Sequence, residues 1–117
     1  MTIKRKMTEK TLKEIEKITG KLTLGNLIWA IRQADEISQL DFAKKLDITK
    51  QHLCDIEHER KSVSPKLAAR YADILGYSTQ QFIRLALQDL VDREGLNVQV
   101  EITQKKRGQH DTPKKAA

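Results

Sequence analysis

A chain of 117 residues, 38% hydrophobic and 32% charged, has the length of one ordinary domain and the balance of a packed protein with a heavily charged surface. Its longest apolar run is five residues, Leu27 to Ile31, far below the roughly 20 of a bilayer-spanning helix, and no apolar stretch follows Lys4, Arg5 and Lys6, so a cytoplasmic protein without membrane contact is expected. Cys54 is the single cysteine and no His/Cys cluster has zinc spacing, so no disulfide, metal or cofactor is expected. The net charge of +6 permits nucleic acid, an anionic membrane or an acidic partner, and chooses none of them.

In chain order, Leu12, Ile15 and Ile18 recur at helical spacing among Lys and Glu, with Gly20 as a stop. This predicts a helix over 8–20, lying on the main body, or else a partner-binding or largely frayed arm. A second helix opens near Thr23, with Leu24, Leu27, Ile28 and Ile31 as one stripe. Trp29 falls off that stripe, and its neighbour is the first helix, a dimer mate or water. Ser38 with Asp41 three residues later resembles a capping box, opening a short helix with Leu40, Phe42, Ala43 and Leu46. Thr49 is placed to cap the next, 50–58. Ser64-Pro65 starts a helix carrying Leu67, Ala68, Tyr71, Ala72, Ile74 and Leu75, which Gly76 ends.

The last helix is predicted from about Ser78 or Thr79 to Glu94, with Gly95 as its stop, and Phe82, Ile83, Leu85, Ala86, Leu87, Leu90 and Val91 give it a wider apolar surface than one packing face requires. After Gly95 the period becomes two: Leu96, Val98, Val100 and Ile102 alternate with polar residues, a strand signature over 96–102. A lone strand leaves its backbone unpaired, so a dimer axis or another protein is expected to supply the partner. From 103 the sequence is polar and basic, with no periodicity, and is expected to be disordered.

Two short helices joined by a three- to four-residue turn, at 38–58, have the outline of a helix-turn-helix. The run from Ile37 to Glu57 resembles the DNA-binding domain of the Xre, or Cro/cI-type, regulators, and the similarity extends from about Leu24 to Tyr77. Its marks are Ser38-Gln39, Ala43 and Leu46, then Leu53, Ile56 and Glu57, and the Ser64-Pro65 opening. Jointly they predict an all-α, five-helix, lambda-repressor-like domain with an extra N-terminal helix and a short C-terminal strand. The divisions are a basic arm at 1–22, the DNA-binding domain at 23–78, a dimerisation helix and strand at 79–102, and a basic tail at 103–117.

On the 50–58 helix, Leu53 and Ile56 define a buried side, which turns Gln51, Cys54, Asp55 and His58 outward with Lys50 and His52 on the flanks. A recognition helix needs such a face, because major-groove base edges are read by amides and charged groups. The resemblance maps base reading onto Lys50, Gln51 and Asp55: Gln51 for adenine, Lys50 for guanine or a phosphate, and Asp55 for cytosine. As a carboxylate near phosphates, Asp55 must bond a base or a neighbouring Lys, or face away. Gln39 and Thr49 match backbone-contacting positions at the amino ends of the two helices. Lys44, Lys45, Arg60, Lys61 and Lys66 are candidate phosphate contacts, and His52 a surface or groove contact. Arg32 and Glu57 match a structural pair bridging two helices. Where many relatives carry Glu-x-Gly, this chain has Glu57-His58-Glu59, so the turn loses an easy left-handed residue and gains a negative charge.

No nucleophile, base and orienting group assemble, so no enzyme is expected. Three readings stay open: a homodimeric repressor binding palindromic double-stranded DNA; an antitoxin resembling the host-inhibition-of-growth (HigA-like) type, binding a toxin and repressing its own operon; and a protein-interaction module that does not bind DNA. The charge divides unevenly: residues 1–22 have seven basic and three acidic groups, 23–102 ten and twelve, and 103–117 five and one. Within the middle region, 44–70 has seven basic and four acidic groups, so positive charge gathers around the recognition helix.

Overall fold

The structure, a computed structural model, describes residues 22–103 and 105. The expected 8–20 helix and most of the basic tail lie outside the described residues. Five helices follow one another among those residues: α1 Leu24–Ala34, α2 Gln39–Leu46, α3 Lys50–Glu57, α4 Pro65–Leu75 and α5 Thr79–Arg93.

One pair of devices delimits all five. Each begins at a hydroxyl residue in extended conformation, Thr23, Ser38, Thr49, Ser64 or Ser78, whose side-chain oxygen accepts the N–H three residues on, at 3.0–3.2 Å. Such a cap stabilises a helix by about 1 kcal/mol. Each ends at a left-handed residue, Glu36, Asp47, Glu59, Gly76 or Gly95. The N–H of that residue returns to the carbonyl three back, and the following N–H to the carbonyl five back, as in Ile48 to Ala43 at 3.0 Å and Tyr77 to Ala72 at 2.9 Å. This is the Schellman arrangement, and the apolar residue after the left-handed one commonly packs inward. Ile37, Ile48 and Tyr77 do so, sitting half-buried against the core.

Three of these left-handed positions hold an acid where glycine is unstrained, at about 1–2 kcal/mol each. Glu59 is the case where glycine was missed in the sequence: its φ is 60°, so the chain makes the left-handed turn with a side chain present.

The core joins all five helices through Leu27, Ile28, Ile31, Phe42, Leu46, Leu53, Ile56, Tyr71, Leu75, Phe82 and Leu85. Val63, in the loop before α4, is also buried. Leu40 and Leu67, expected among the apolar positions, lie on the outer sides of their short helices and are exposed. Of the seven apolar residues expected on α5, Phe82, Leu85 and Ala86 are buried, whereas Leu90 is exposed. Trp29 is 47% exposed.

Gly25, at the start of α1, admits the end of α3: a Cβ there would collide with the Ile56 carbonyl oxygen. The contact is with backbone, which cannot step aside as a side-chain tip can.

The segment 96–102, expected as a strand, forms no ladder among the described residues. It returns along α5, whose glutamines take the place of a neighbouring strand. Gln88 donates to the Val98 carbonyl (2.9 Å) and accepts from the Val100 N–H (2.8 Å), while Gln80 donates to the Ile102 carbonyl (2.9 Å). The physical reason is satisfaction of backbone groups by side-chain amides, which period-two patterning does not register.

Denaturant unfolding checks the two backbone positions: Gly25→Ala is expected to lower stability by about 1–3 kcal/mol through forced displacement of α3, and Glu59→Gly to raise it by up to about 1 kcal/mol by relieving the left-handed strain.

Candidate nucleic-acid interface

α2 and α3 are joined by Asp47, Ile48 and Thr49, and each residue has a separate task. Asp47 takes the left-handed conformation that ends α2, Ile48 tucks against the core, and Thr49 caps α3. Leu53 and Ile56 are buried, so rotation of α3 about its axis is fixed. Lys50 and Gln51 are exposed on its first turn, His52, Cys54 and Asp55 are half-buried, and His58 is exposed just beyond its end. Thr49 Oγ1 accepts from the His52 N–H, leaving its own hydroxyl hydrogen free to donate.

The orientation of α3 is also held by charge. Glu57 is buried, with a side chain 1% exposed, and Arg32 grips it in a fork: Nε donates to Oε2 at 2.7 Å and Nη2 to Oε1 at 3.1 Å. Arg32 Nη1 also donates to the Ile37 carbonyl, at 3.1 Å. Gln39 Nε2 adds a third donor to the carboxylate, at 3.1 Å. Gln39, expected as a backbone contact with DNA, gives one N–H of its amide to Glu57, because a buried carboxylate needs donors on both oxygens.

Asp55 is neither unpaired nor bonded to a lysine. Arg60 Nε donates to its Oδ1 at 2.9 Å, and Gln51 Nε2 donates to the same oxygen at 3.0 Å. Arg60 Nη2 also approaches Cys54 Sγ at 3.3 Å, so this side chain folds back over α3. The hydrogen bond from Arg60 holds the Asp55 carboxyl below its ordinary pKa; partial desolvation opposes this, and Gln51 and the Arg60 and Lys61 charges assist. The same bond, with a smaller one from Cys54, pushes the Arg60 pKa up. His58 Nδ1 lies 2.9 Å from the Cys54 carbonyl oxygen, which can only accept, so that nitrogen carries the hydrogen.

The network leaves Gln51 with Oε1 and a second N–H available. One acceptor and one donor are what an adenine edge requires. Lys44, Lys50, Lys61 and Lys66 are exposed and Lys45 is half-buried. Glu59 carries a negative charge at the far end of α3, near Lys61 and Arg93. The structure thus brings Thr49, Lys50, Gln51, His52, Asp55 and Arg60 to one helix and its ends, while Gln39, Arg32 and Glu57 form a bracket behind it.

Among the described residues no group of three His, Cys, Asp or Glu side chains is placed to hold a metal, and no helix is long and apolar enough to cross a membrane.

Residues 30–82, from within α1 to the first turn of α5, match a helix-turn-helix family model. Helix α2, the three-residue turn and α3 lie inside the matched segment and have the helix-turn-helix arrangement. Comparison with curated proteins and with solved structures gives no match.

Sequence reading missed Gly25, whose signal was an isolated glycine inside a helical pattern. It also missed the Asp55–Arg60 pair, which forms only because the Glu59 turn brings residue 60 back over α3.

Since Asp55 has a folded pKa below the unfolded one, its pairing with Arg60 is present at neutral pH and fades as pH falls through the lowered value. An NMR titration of the Asp55 carboxyl should find it below the ordinary carboxylate range, and Arg60→Ala should move it upward; an unchanged titration in the variant contradicts the pairing.

Proposed function

We propose that the chain is a sequence-specific DNA-binding transcriptional regulator that acts as a homodimeric repressor on a palindromic operator. The observation carrying this reading is the mounting of α3. Its inner side is locked by Leu53, Ile56 and the Glu57 bracket, and its amino-terminal turn offers Thr49, Lys50 and Gln51 outward.

In the proposed complex α3 enters the major groove. Gln51 reads adenine N6 and N7 with the acceptor and donor left over from Asp55, and Lys50 takes guanine or a phosphate. Asp55 acts as a positioning residue: its bond to Gln51 holds the amide in one plane before DNA arrives, and Arg60 neutralises its charge. Thr49, with the free N–H groups at the start of α3, meets a phosphate, as do Lys61 and the remaining N–H groups of Arg60. A two-fold dimer sets two such helices about 34 Å apart, in successive major grooves.

An interaction module without DNA binding drew its support from Asp55 and Glu59, and the neutralised Asp55 weakens it. The antitoxin reading drew on the 8–20 helix, outside the described residues, and no described feature favours a toxin partner over a second copy.

Binding titrations of the full chain against its own promoter region and random duplex test the assignment. Lys50→Ala and Gln51→Ala should each reduce discrimination about 5- to 150-fold, the equivalent of about 1–3 kcal/mol per lost base contact, with nonspecific binding still weakening as salt rises. Discrimination that survives both substitutions overturns the role given to α3.

A further inference from the structure

We propose that residues 96–102 pair antiparallel with the same segment of a second copy, about a two-fold axis at Gln99. This deepens the homodimer part of the proposed function and rests on it for the identity of the partner.

One edge of the segment is already occupied by side chains of α5. Gln80 and Gln88 lie eight residues apart on α5, about 12 Å of helix. The carbonyls they bind, Ile102 and Val98, are four residues apart, about 13 Å of extended chain. The match of lengths, with reversed order, means that 98–102 runs extended and antiparallel to α5. The Val98 carbonyl and the Val100 N–H share one Gln88 amide, the bonding that extended chain offers a strand neighbour. A second Gln88 amide bond, to Asp92 Oδ1 at 3.0 Å, fixes the side chain in that role.

In extended chain the N–H and C=O of alternate residues point to opposite edges. Residues 98, 100 and 102 face α5, so 97, 99 and 101 present their backbone groups to the other edge. Among the described residues Asn97, Gln99 and Glu101 are exposed and make no hydrogen bond or ion pair.

The side chains then select the occupant. Antiparallel pairing centred on Gln99 sets Leu96 opposite Ile102 of the other copy, Val98 opposite Val100, Asn97 opposite Glu101, and Gln99 opposite itself. Every apolar residue meets an apolar one and every polar residue a polar one, with no like charges opposed. Leu96 and Val98, 54% and 55% exposed in the single chain, each gain a neighbour that is half-buried in its own copy. A different protein would need to match this register by chance; a second copy meets it by symmetry.

The test uses the full chain without DNA. Sedimentation should show a dimer at micromolar concentration. Under mild oxidation Gln99→Cys should cross-link, because a hydrogen-bonded antiparallel pair sets Cα atoms about 5.5 Å apart, within disulfide reach. Asn97→Cys alone should cross-link at least tenfold less, its counterpart being displaced by four residues, about 13 Å. The double variant Asn97→Cys/Glu101→Cys should recover the cross-link, while the wild type, with Cys54 alone, should stay at background. A monomeric wild type, or equal cross-linking by Gln99→Cys and Asn97→Cys, overturns the proposal. A chain that does not bind its promoter can still pass this test, and one that binds DNA as a monomer fails it, so the two readings fail separately.

Discussion

The buried carboxylate of Glu57 is the constraint on which the rest of the structure depends. A charge with a side chain 1% exposed is tolerated only if donors saturate it, and here they come from two other helices: Arg32 on α1 and Gln39 on α2. Glu57 is the last residue of α3. The carboxylate therefore fixes one end of α3 against both preceding helices, while Arg32 also holds the Ile37 carbonyl at the approach to α2. Removing one partner of such a buried pair typically costs about 3–5 kcal/mol, because the other charge is left in low dielectric. The close approach of Ile56 to Gly25 lies next to this bracket, so charge pairing and backbone contact set the same crossing of α1 and α3.

The outer face of α3 follows from this mounting. With Leu53, Ile56 and Glu57 held inward, Lys50 and Gln51 have no choice but solvent, and Asp55 comes within reach of Arg60. In the proposed complex the pair tempers an electrostatic conflict, since the described region is slightly acidic and its cations would be needed where a phosphate runs. Several of its acids are accounted for by structure: Glu57 in the bracket, Asp55 against Arg60, and Glu36, Asp47 and Glu59 at left-handed helix ends.

The five described helices were legible in the sequence because their start signals are local. Hydroxyl caps at Thr23, Ser38, Thr49, Ser64 and Ser78 and the glycine stop after α4 need no tertiary information. The inward side of α3 was legible from helical period alone. What escaped was tertiary: that Glu59 would turn left-handed without glycine, that Arg60 would fold back to Asp55, and that Gln39 would be drawn to Glu57. The 96–102 segment was read as a strand needing a partner from outside the chain, whereas the glutamines of α5 bond its backbone along one edge, since a side-chain amide has the donor and acceptor of a peptide group. Leu40 and Leu67 misled because an apolar residue on a two- or three-turn helix need not face the core.

The most direct measurement of the central claim is an amide NMR spectrum of the full chain titrated with duplex from its own promoter. Helix α3 presented as the reading element predicts the largest perturbations at 49–52 and 55, smaller ones at 38–40, and little change along the buried face of α5. Perturbations centred on α5, with the amides of α3 unmoved, contradict it.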